Sequence, residues 1–501
     1  MSYLGLDVGT TGCKAVVFDR RGRQIASAYR EYPVISAREG WAELDPNLVR
    51  GSCLRVIAEA AGRAEKDPVR GLGISSQGEA FTPVGPNGCL LRNAMVSSDA
   101  RAAEIARDWS ADFGRERLYS TTGHTPHPMY TLFKLIWLRE NEPDIWGNAR
   151  SFYCFEELIH DALGVEPAIG WPLAGRTMMF NVCTHRWDAD ILSAVGLDES
   201  KLARTLASGE VVGRMAPAAA RELGLADGAM VVAGGHDQPC GALGAGVASP
   251  GRAVYGMGTV DCITPAFPDA VFSEDLFRNN LATYDFTARG MYTTVAFSLT
   301  GGNALQWFRD EWGRAEAEEA AASGRTAYEV LLDRMDNEPS TLLVLPYLTP
   351  SGTPYFDTQV RGAILGLRVT TTRMEVLRAL LEGVAFEMRL NMHILERSGV
   401  EVRELVGIGG GANSRKLVQL KADVLGKPIK LTEVTEAGCL GVAMLACAAD
   451  SGEDIAALAR EWVRERDVVQ PDPSRAGHYA GRFGTYLELY PALRDLTDKG
   501  A

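Results

Sequence analysis

The sequence predicts an α/β protein built from two similar lobes. Three observations point there. The 501 residues exceed what one ordinary hydrophobic core organises. A strand–Gly-Thr–strand unit near the start recurs 249 residues on, Gly9-Thr10 being followed by Gly258-Thr259. The second half then alternates apolar strands with amphipathic helices, the pattern of α/β chains. A boundary near residue 248 follows, with residues 1–247 and 248–501 as the two domains.

The elements read in order. Tyr3 to Val8 and Cys13 to Asp19 are apolar runs rich in β-branched and aromatic residues, and Gln24 to Tyr29 alternates in polarity. Gly9-Thr10-Thr11-Gly12 joins the first two as a tight hairpin with backbone N–H groups at its tip. Leu132 to Asn141 has apolar residues at helical spacing, and Ala216 to Gly228 reads as a helix followed by a turn. Ala229 to Ala233 is a strand leading into Gly234-Gly235-His236-Asp237, with a small-residue helix expected over Cys240 to Val247. Ala253 to Met257 and Cys262 to Thr264 flank the second Gly-Thr turn. Thr372 and Glu375 predict a capping box for a helix over Met374 to Leu395. Glu404 to Ile408 is a strand, Arg415 to Leu425 a helix stopped by Gly426 and Pro428, Ile429 to Leu431 a strand and Leu440 to Ala449 a helix.

Composition narrows the function. Hydrophobic residues make up 46% and charged residues 23%, which is ordinary globular usage. The net charge of −13 argues against nucleic acid or an anionic membrane as partner. It leaves room for a phosphate ligand, because backbone N–H groups bind phosphate without net positive charge. The opening residues show no signal peptide, and no apolar run is long enough to span a bilayer. The 9 cysteines are scattered without a CxxC pair, so neither a disulfide framework nor a zinc site is expected. A cytoplasmic location is the expectation, and oligomeric state is left open, a homodimer included.

Several residues carry candidate chemistry. Asp7 ends the first strand just before the Gly-rich hairpin. There it could hold magnesium while Gly9 to Gly12 approach phosphate oxygens, or it could satisfy turn amides. Asp237 follows two glycines at a strand end, where it could accept a hydroxyl proton during phosphoryl transfer, or could cap the following helix. Gly407-Ile408-Gly409-Gly410-Gly411-Ala412 fits a GxGxxA dinucleotide fingerprint, or a glycine platform on which adenine lies flat. No Walker A motif is present, so phosphate binding must use the hairpins.

Taken together in this order, these motifs resemble the FGGY family of carbohydrate kinases, within the actin-like ATPase superfamily. The resemblance rests on Leu6 to Lys14, Gly73 to Glu79, Gly234 to Asp237, Tyr255 to Thr259, Arg361 to Leu367 and Gly409 to Ser414, and spans nearly the whole chain. It implies two ribonuclease-H-like domains closing over an interdomain cleft, the first binding sugar and phosphate, the second adenosine. It implies ATP-dependent phosphorylation of a hydroxyl of a small sugar, a ketose such as xylulose, or of a polyol, with ATP and Mg2+ as cofactors. Asp237 becomes the general base, and Asp7 and Asp237 flank the metal. Gly9, Thr10, Thr11, Lys14, Gly258 and Thr259 line the phosphates, and Gly410, Gly411, Ala412 and Asn413 hold the nucleoside. Gln77, Glu79, Asp99 and Arg101 fall in the sugar-binding segments, together with Asp237. Where xylulokinases tend to carry Met-His after the Gln and glycerol kinases Arg-Glu, this chain has Gly78-Glu79. Two rival readings remain: an actin-like ATPase working through partner binding, and an NAD-linked dehydrogenase resting only on Gly407 to Ala412.

Overall fold

A computed structural model describes residues 1–64 and 66–498. It contains two mixed sheets built to one plan. The first comprises β1 (Ser2–Val8), β2 (Gly12–Asp19), β3 (Gln24–Glu31), β4 (Val69–Ser76), β5 (Val211–Arg214) and β6 (Met230–His236), in the order β5-β6-β4-β1-β2-β3. β1 pairs antiparallel with β2 and parallel with β4, and β4 pairs parallel with β6. The second comprises β7 (Arg252–Met257), β8 (Asp261–Phe267), β9 (Tyr284–Asp285), β10 (Tyr292–Thr293), β11 (Ala296–Ser298), β12 (Glu404–Ile408), β13 (Ile429–Thr432) and β14 (Glu465–Val469). Its order is β9-β10-β8-β7-β12-β13-β14, with β11 also on β8. Here β7 pairs antiparallel with β8 and parallel with β12, and β12 pairs parallel with β13. The repeated hairpin-then-parallel arrangement gives the echoed Gly-Thr turns a common structural origin. Central strand β1 is buried along its length except at Asp7, which suits its near-continuous apolar sequence.

The helices that place the site are α1 (Thr131–Asn141), α2 (Phe155–Ala162), α3 (Asp237–Gly244), α4 (Gly302–Trp312), α5 (Arg373–Arg397), α6 (Arg415–Leu425) and α7 (Ala437–Ser451). The segment expected as a helix from Ala216 is helical only over Pro217–Glu222, then turns through Gly224 and Gly228. The helix expected from Cys240 begins three residues earlier, at Asp237. The capping box at α5 is half formed. Thr372 accepts from the Glu375 backbone N–H, but the Glu375 carboxylate accepts from Thr341 Oγ1 at 2.8 Å instead of reaching back. A tertiary partner has taken the side chain the local motif needs.

The two halves meet through α3 and α7. Small residues allow the approach: a Cβ on Gly244 would lie 1.8 Å from Ala437 O, and one on Gly441 would lie 2.1 Å from Cys240 O. α7 belongs to the second half in sequence but packs on the first sheet, its Cys439 backbone filling the space over Gly5. One buried cluster joins Tyr3, Met230, Cys240 and Leu243 to Val254, Val406, Leu440 and Val442. Among the described residues no helix is long and apolar enough to cross a membrane.

Candidate active site

Asp237 stands where β6 ends and α3 begins. β6 runs parallel to β4 up to Val232, then the register slips so that Gly235 faces Ser75 and His236 faces Ser76. This bulge redirects the chain. His236 occupies the cap position without a side-chain capping bond, so Asp237 is the first helical residue and not its cap. His236 Nδ1 lies 3.0 Å from Tyr284 Oη, and its Nε2 lies 3.2 Å from Asp237 Oδ1. Burial, reinforced by the positive charge of Arg176, holds the imidazole pKa far below the usual range, so His236 is neutral. The ring is thus held between Tyr284 on its Nδ1 side and Asp237 on its Nε2 side. The Asp237 carboxyl is pushed up to about 7, first by burial and then by the negative charges of Asp7 and Glu79. A carboxylate poised there is suited to take a proton near neutral pH.

The two hairpins approach this residue from different halves of the chain. In the first, Gly9 N donates to Gly12 O at 2.9 Å, and Tyr32 Oη donates to Gly9 O at 2.7 Å. Asp7 accepts from Ser75 Oγ at 2.6 Å, not from the turn amides, and burial raises its pKa. In the second, Gly258 N donates to Val260 O at 3.1 Å, and Gly302 N and Asn303 N, at the start of α4, donate to Gly258 O and Thr259 O. Cys262 Sγ, just past this turn, donates to Oε1 of Gln238 at 3.4 Å, which ties the second hairpin to the residue after Asp237.

On the other side of Asp237 lies a buried charge pair. Glu79 adopts a left-handed backbone, φ 64°, rare for a side chain of its size. Its Oε1 accepts from both Nε and an outer nitrogen of Arg176. The guanidinium lies 5.0 Å from the Tyr130 ring and 5.7 Å from the Tyr284 ring. Burial disfavours the Arg176 charge, but Glu79 together with Tyr130 and Tyr284 outweighs it and the pKa is raised. The Glu79 backbone carbonyl accepts from Thr131 Oγ1 at 2.9 Å, from α1.

The nucleotide-sized cavity belongs to the second half. It encloses about 1040 Å³ and is lined by Gly258, Thr259, Gly301, Gly302, Gly410, Gly411 and Asn413. Lys421 and Asp261, a buried ion pair, also line it, and Asp261 Oδ1 is buried without a hydrogen-bond partner among the described residues. A Cβ on Gly410 would meet nothing within 4 Å, so the glycine borders open space.

The structure redistributes several candidates. Ala412 turns its methyl group into the core with Ala253, Met257 and Val418 instead of lining the cavity. Gln77 is buried, and its amide is engaged by the first hairpin: Nε2 donates to Gly9 O at 2.9 Å and Thr10 Oγ1 donates to Oε1 at 3.1 Å. Lys14 pairs with Glu436 at 2.7 Å, just before α7, which joins the halves and engages the ammonium group expected at the phosphates. Asp99 and Arg101 sit in a buried network: Asp99 accepts from Ala42 N at 2.7 Å, and Arg101 bridges Asp99 and Glu43 at 2.7 and 2.6 Å with its guanidinium 3.5 Å over Trp41, while its Nη1 has no hydrogen-bond partner among the described residues. Arg176, Tyr130, Tyr284, Gly301, Gly302 and Lys421 were not singled out from sequence. Only Gly301-Gly302 carried a local signal, a glycine pair opening an amphipathic helix.

Comparison with known proteins agrees with this geometry. Residues 2–244 match the model for the N-terminal domain of the FGGY family of carbohydrate kinases, and residues 253–449 match the model for its C-terminal domain. The chain is 26% identical to a xylulose kinase from Bacillus subtilis, over 99% of this chain and 98% of that one. It is 31% identical to a glycerol kinase from Symbiobacterium thermophilum, covering 95% and 96%. A solved xylulose kinase from Rhodospirillum rubrum superposes with a TM-score of 0.88 at 25% identity, over 99% of this chain and 100% of the other. With both domain models matched in order along a chain that carries two hairpins and one acidic residue at their meeting point, the protein belongs to the FGGY family of carbohydrate kinases.

Proposed function

We propose that this kinase transfers the γ-phosphoryl group of ATP to a hydroxyl of a small ketose such as xylulose, or of a related polyol, with Asp237 as general base. The observation that carries this reading is the position of Asp237. It lies between the Glu79–Arg176 pair and the two hairpins, with its pKa pushed up to about 7 and its orientation held by neutral His236. The sugar kinases of this family use ATP, and the xylulose and glycerol kinases among the relatives bracket the acceptor.

Residues 1–247 would bind the sugar and the phosphates, and residues 248–501 the adenosine. Arg176 engages only Oε1 of Glu79, and among the described residues none hydrogen-bonds Oε2, which would accept from a sugar hydroxyl. Arg176 would hold that carboxylate in place. Gly9, Thr10 and Thr11, with Gly258 and Thr259, would present amides and hydroxyls to the phosphate chain. Gly410, Gly411 and Asn413 would border the nucleoside. Lys14, Gln77, Asp99 and Arg101 would support the site from behind by fixing the hairpin and the sugar loop.

The residues present suit a magnesium ion. Burial raises the proton affinity of Asp7, and the Asp7 charge in turn raises that of Asp237, so these two carboxylates would hold a divalent cation that relieves a repulsion the protein leaves standing. When bound, it would neutralise charge on the phosphates. The attacking hydroxyl would give its proton to Asp237 as its oxygen bonds to phosphorus, and the bond from phosphorus to the ADP oxygen would break in line. Closure of the lobes about α3 and α7 would exclude water as a competing acceptor.

The test is a coupled ATPase assay over ketoses, polyols and aldonates, with and without acceptor. Turnover that depends on a ketose or polyol supports the reading. ATP turnover unaffected by every acceptor would sink it and favour the partner-binding ATPase.

A further inference from the structure

The register slip that aims Asp237 is held from two sides. Gly234 lies within the slip, outside the ladder with β4, and its Cα is pressed so close to Ile74 that a Cβ would fall 1.8 Å from the Ile74 carbonyl oxygen. Its N–H, freed from the sheet, donates to Glu156 Oε1 at 2.7 Å. Its carbonyl accepts from Ser208 Oγ at 2.6 Å. Ala233 is tied to the same loop, its N–H donating to Glu210 O at 2.9 Å and its carbonyl accepting from Gly209 N at 2.7 Å. Glu156 is buried in the first turn of α2, and its second oxygen accepts from Gly170 N at 2.9 Å.

A buried carboxylate is an expensive way to hold a backbone unless both its oxygens are needed. Here they are, because each accepts from a different backbone N–H. A glutamine could satisfy one donor and would turn its own amide hydrogens toward the other. Removing either clamp leaves a buried backbone group of Gly234 without its partner and loosens the bulge at that residue, although Ala233 stays tied to Gly209 and Glu210. Asp237, three residues on, would then swing away from the acceptor hydroxyl.

We propose that Glu156 and Ser208 are positioning residues for phosphoryl transfer, clamping Gly234 by its N–H and its carbonyl so that β6 delivers Asp237 into the cleft. This rests on Asp237 being the base. Neither residue touches substrate, and both act through the backbone.

The experiment measures kcat, both KM values and the pH profile of kcat/KM for Glu156→Gln, Ser208→Ala and Asp237→Asn in the full chain. Glu156→Gln is expected to lower kcat at least tenfold and Ser208→Ala about fivefold, with the sugar and ATP KM values within threefold of wild type. The acidic limb of the pH profile should move to lower pH, because a base released from the cleft leaves the burial and negative charges that raise its pKa. A kcat within twofold of wild type in both variants overturns the proposal, as does a fall in kcat matched by equal rises in both KM values with an unmoved pH limb. If Glu156→Gln does not fold, Ser208→Ala alone decides by the same criteria. An inactive Asp237→Asn beside a normal Glu156→Gln removes only the clamp, whereas an active Asp237→Asn removes the base reading itself.

Discussion

Glu79 and Arg176, 97 residues apart in sequence, form one buried ion pair beside Asp237. Only 3% of the Glu79 side chain and 12% of the Arg176 side chain reach solvent, so each charge depends on the other. Arg176→Met would strand the carboxylate, and breaking such a pair costs about 3–5 kcal/mol. The expected outcome is a clear drop in Tm together with at least a tenfold rise in the sugar KM, at nearly constant ATP KM. The double variant with Glu79→Gln should recover most of the Tm but none of the sugar affinity, which thermal unfolding and steady-state kinetics would separate.

Asp237→Asn keeps the shape of the site and removes the proton acceptor. It should lower kcat roughly 10²- to 10⁴-fold while leaving the ATP Kd within about twofold. In the wild type the base works only when deprotonated. With its pKa at about 7, kcat/KM should fall tenfold per pH unit well below 7 and level off above it. A profile flat down to pH 5 would contradict the assignment.

Gly410 predicts the reach of the nucleoside. Because a side chain there enters the cavity without meeting protein, Gly410→Leu should raise the ATP KM at least tenfold and leave Tm within about 2 °C. The sugar KM serves as the control.

Three buried glutamates should contribute stability that is lost as pH rises from 5 to 8. Burial pushes Glu156 and Glu387 up to about 7, and burial with the charge of Glu156 pushes Glu157 up to about 8. Unfolded, these groups titrate near 4.3. Between the two values the folded state binds more protons, so the contribution is complete below the unfolded pKa and is lost as pH climbs through the folded one. These glutamates therefore favour a higher Tm of the ligand-free protein at pH 5.5 than at pH 8, opposed by His127 and buried His160, whose pKa burial holds at about 4. Glu387→Gln, which keeps an acceptor for Tyr486 Oη at 2.8 Å, should shrink the difference. An equal or larger difference in that variant would count against Glu387.

What the sequence determined by itself was local. The hairpin at Gly9 to Gly12, the strand Glu404 to Ile408 and the helix Arg415 to Leu425 with Gly426 beyond it were legible because turn glycines, capping residues and apolar periodicity act over a few residues. The candidate base Asp237 was legible from its glycines. Tertiary structure alone decided which charges meet. Lys14 could not be assigned to Glu436, nor Arg176 to Glu79, because side-chain partners hundreds or scores of residues apart leave no spacing in the chain. The fate of the Ala412 methyl and the capture of Gly234 by Glu156 and Ser208 had the same origin. Burial decides which polar groups must be satisfied and which neighbours remain to satisfy them, and burial exists only once the sheets have packed.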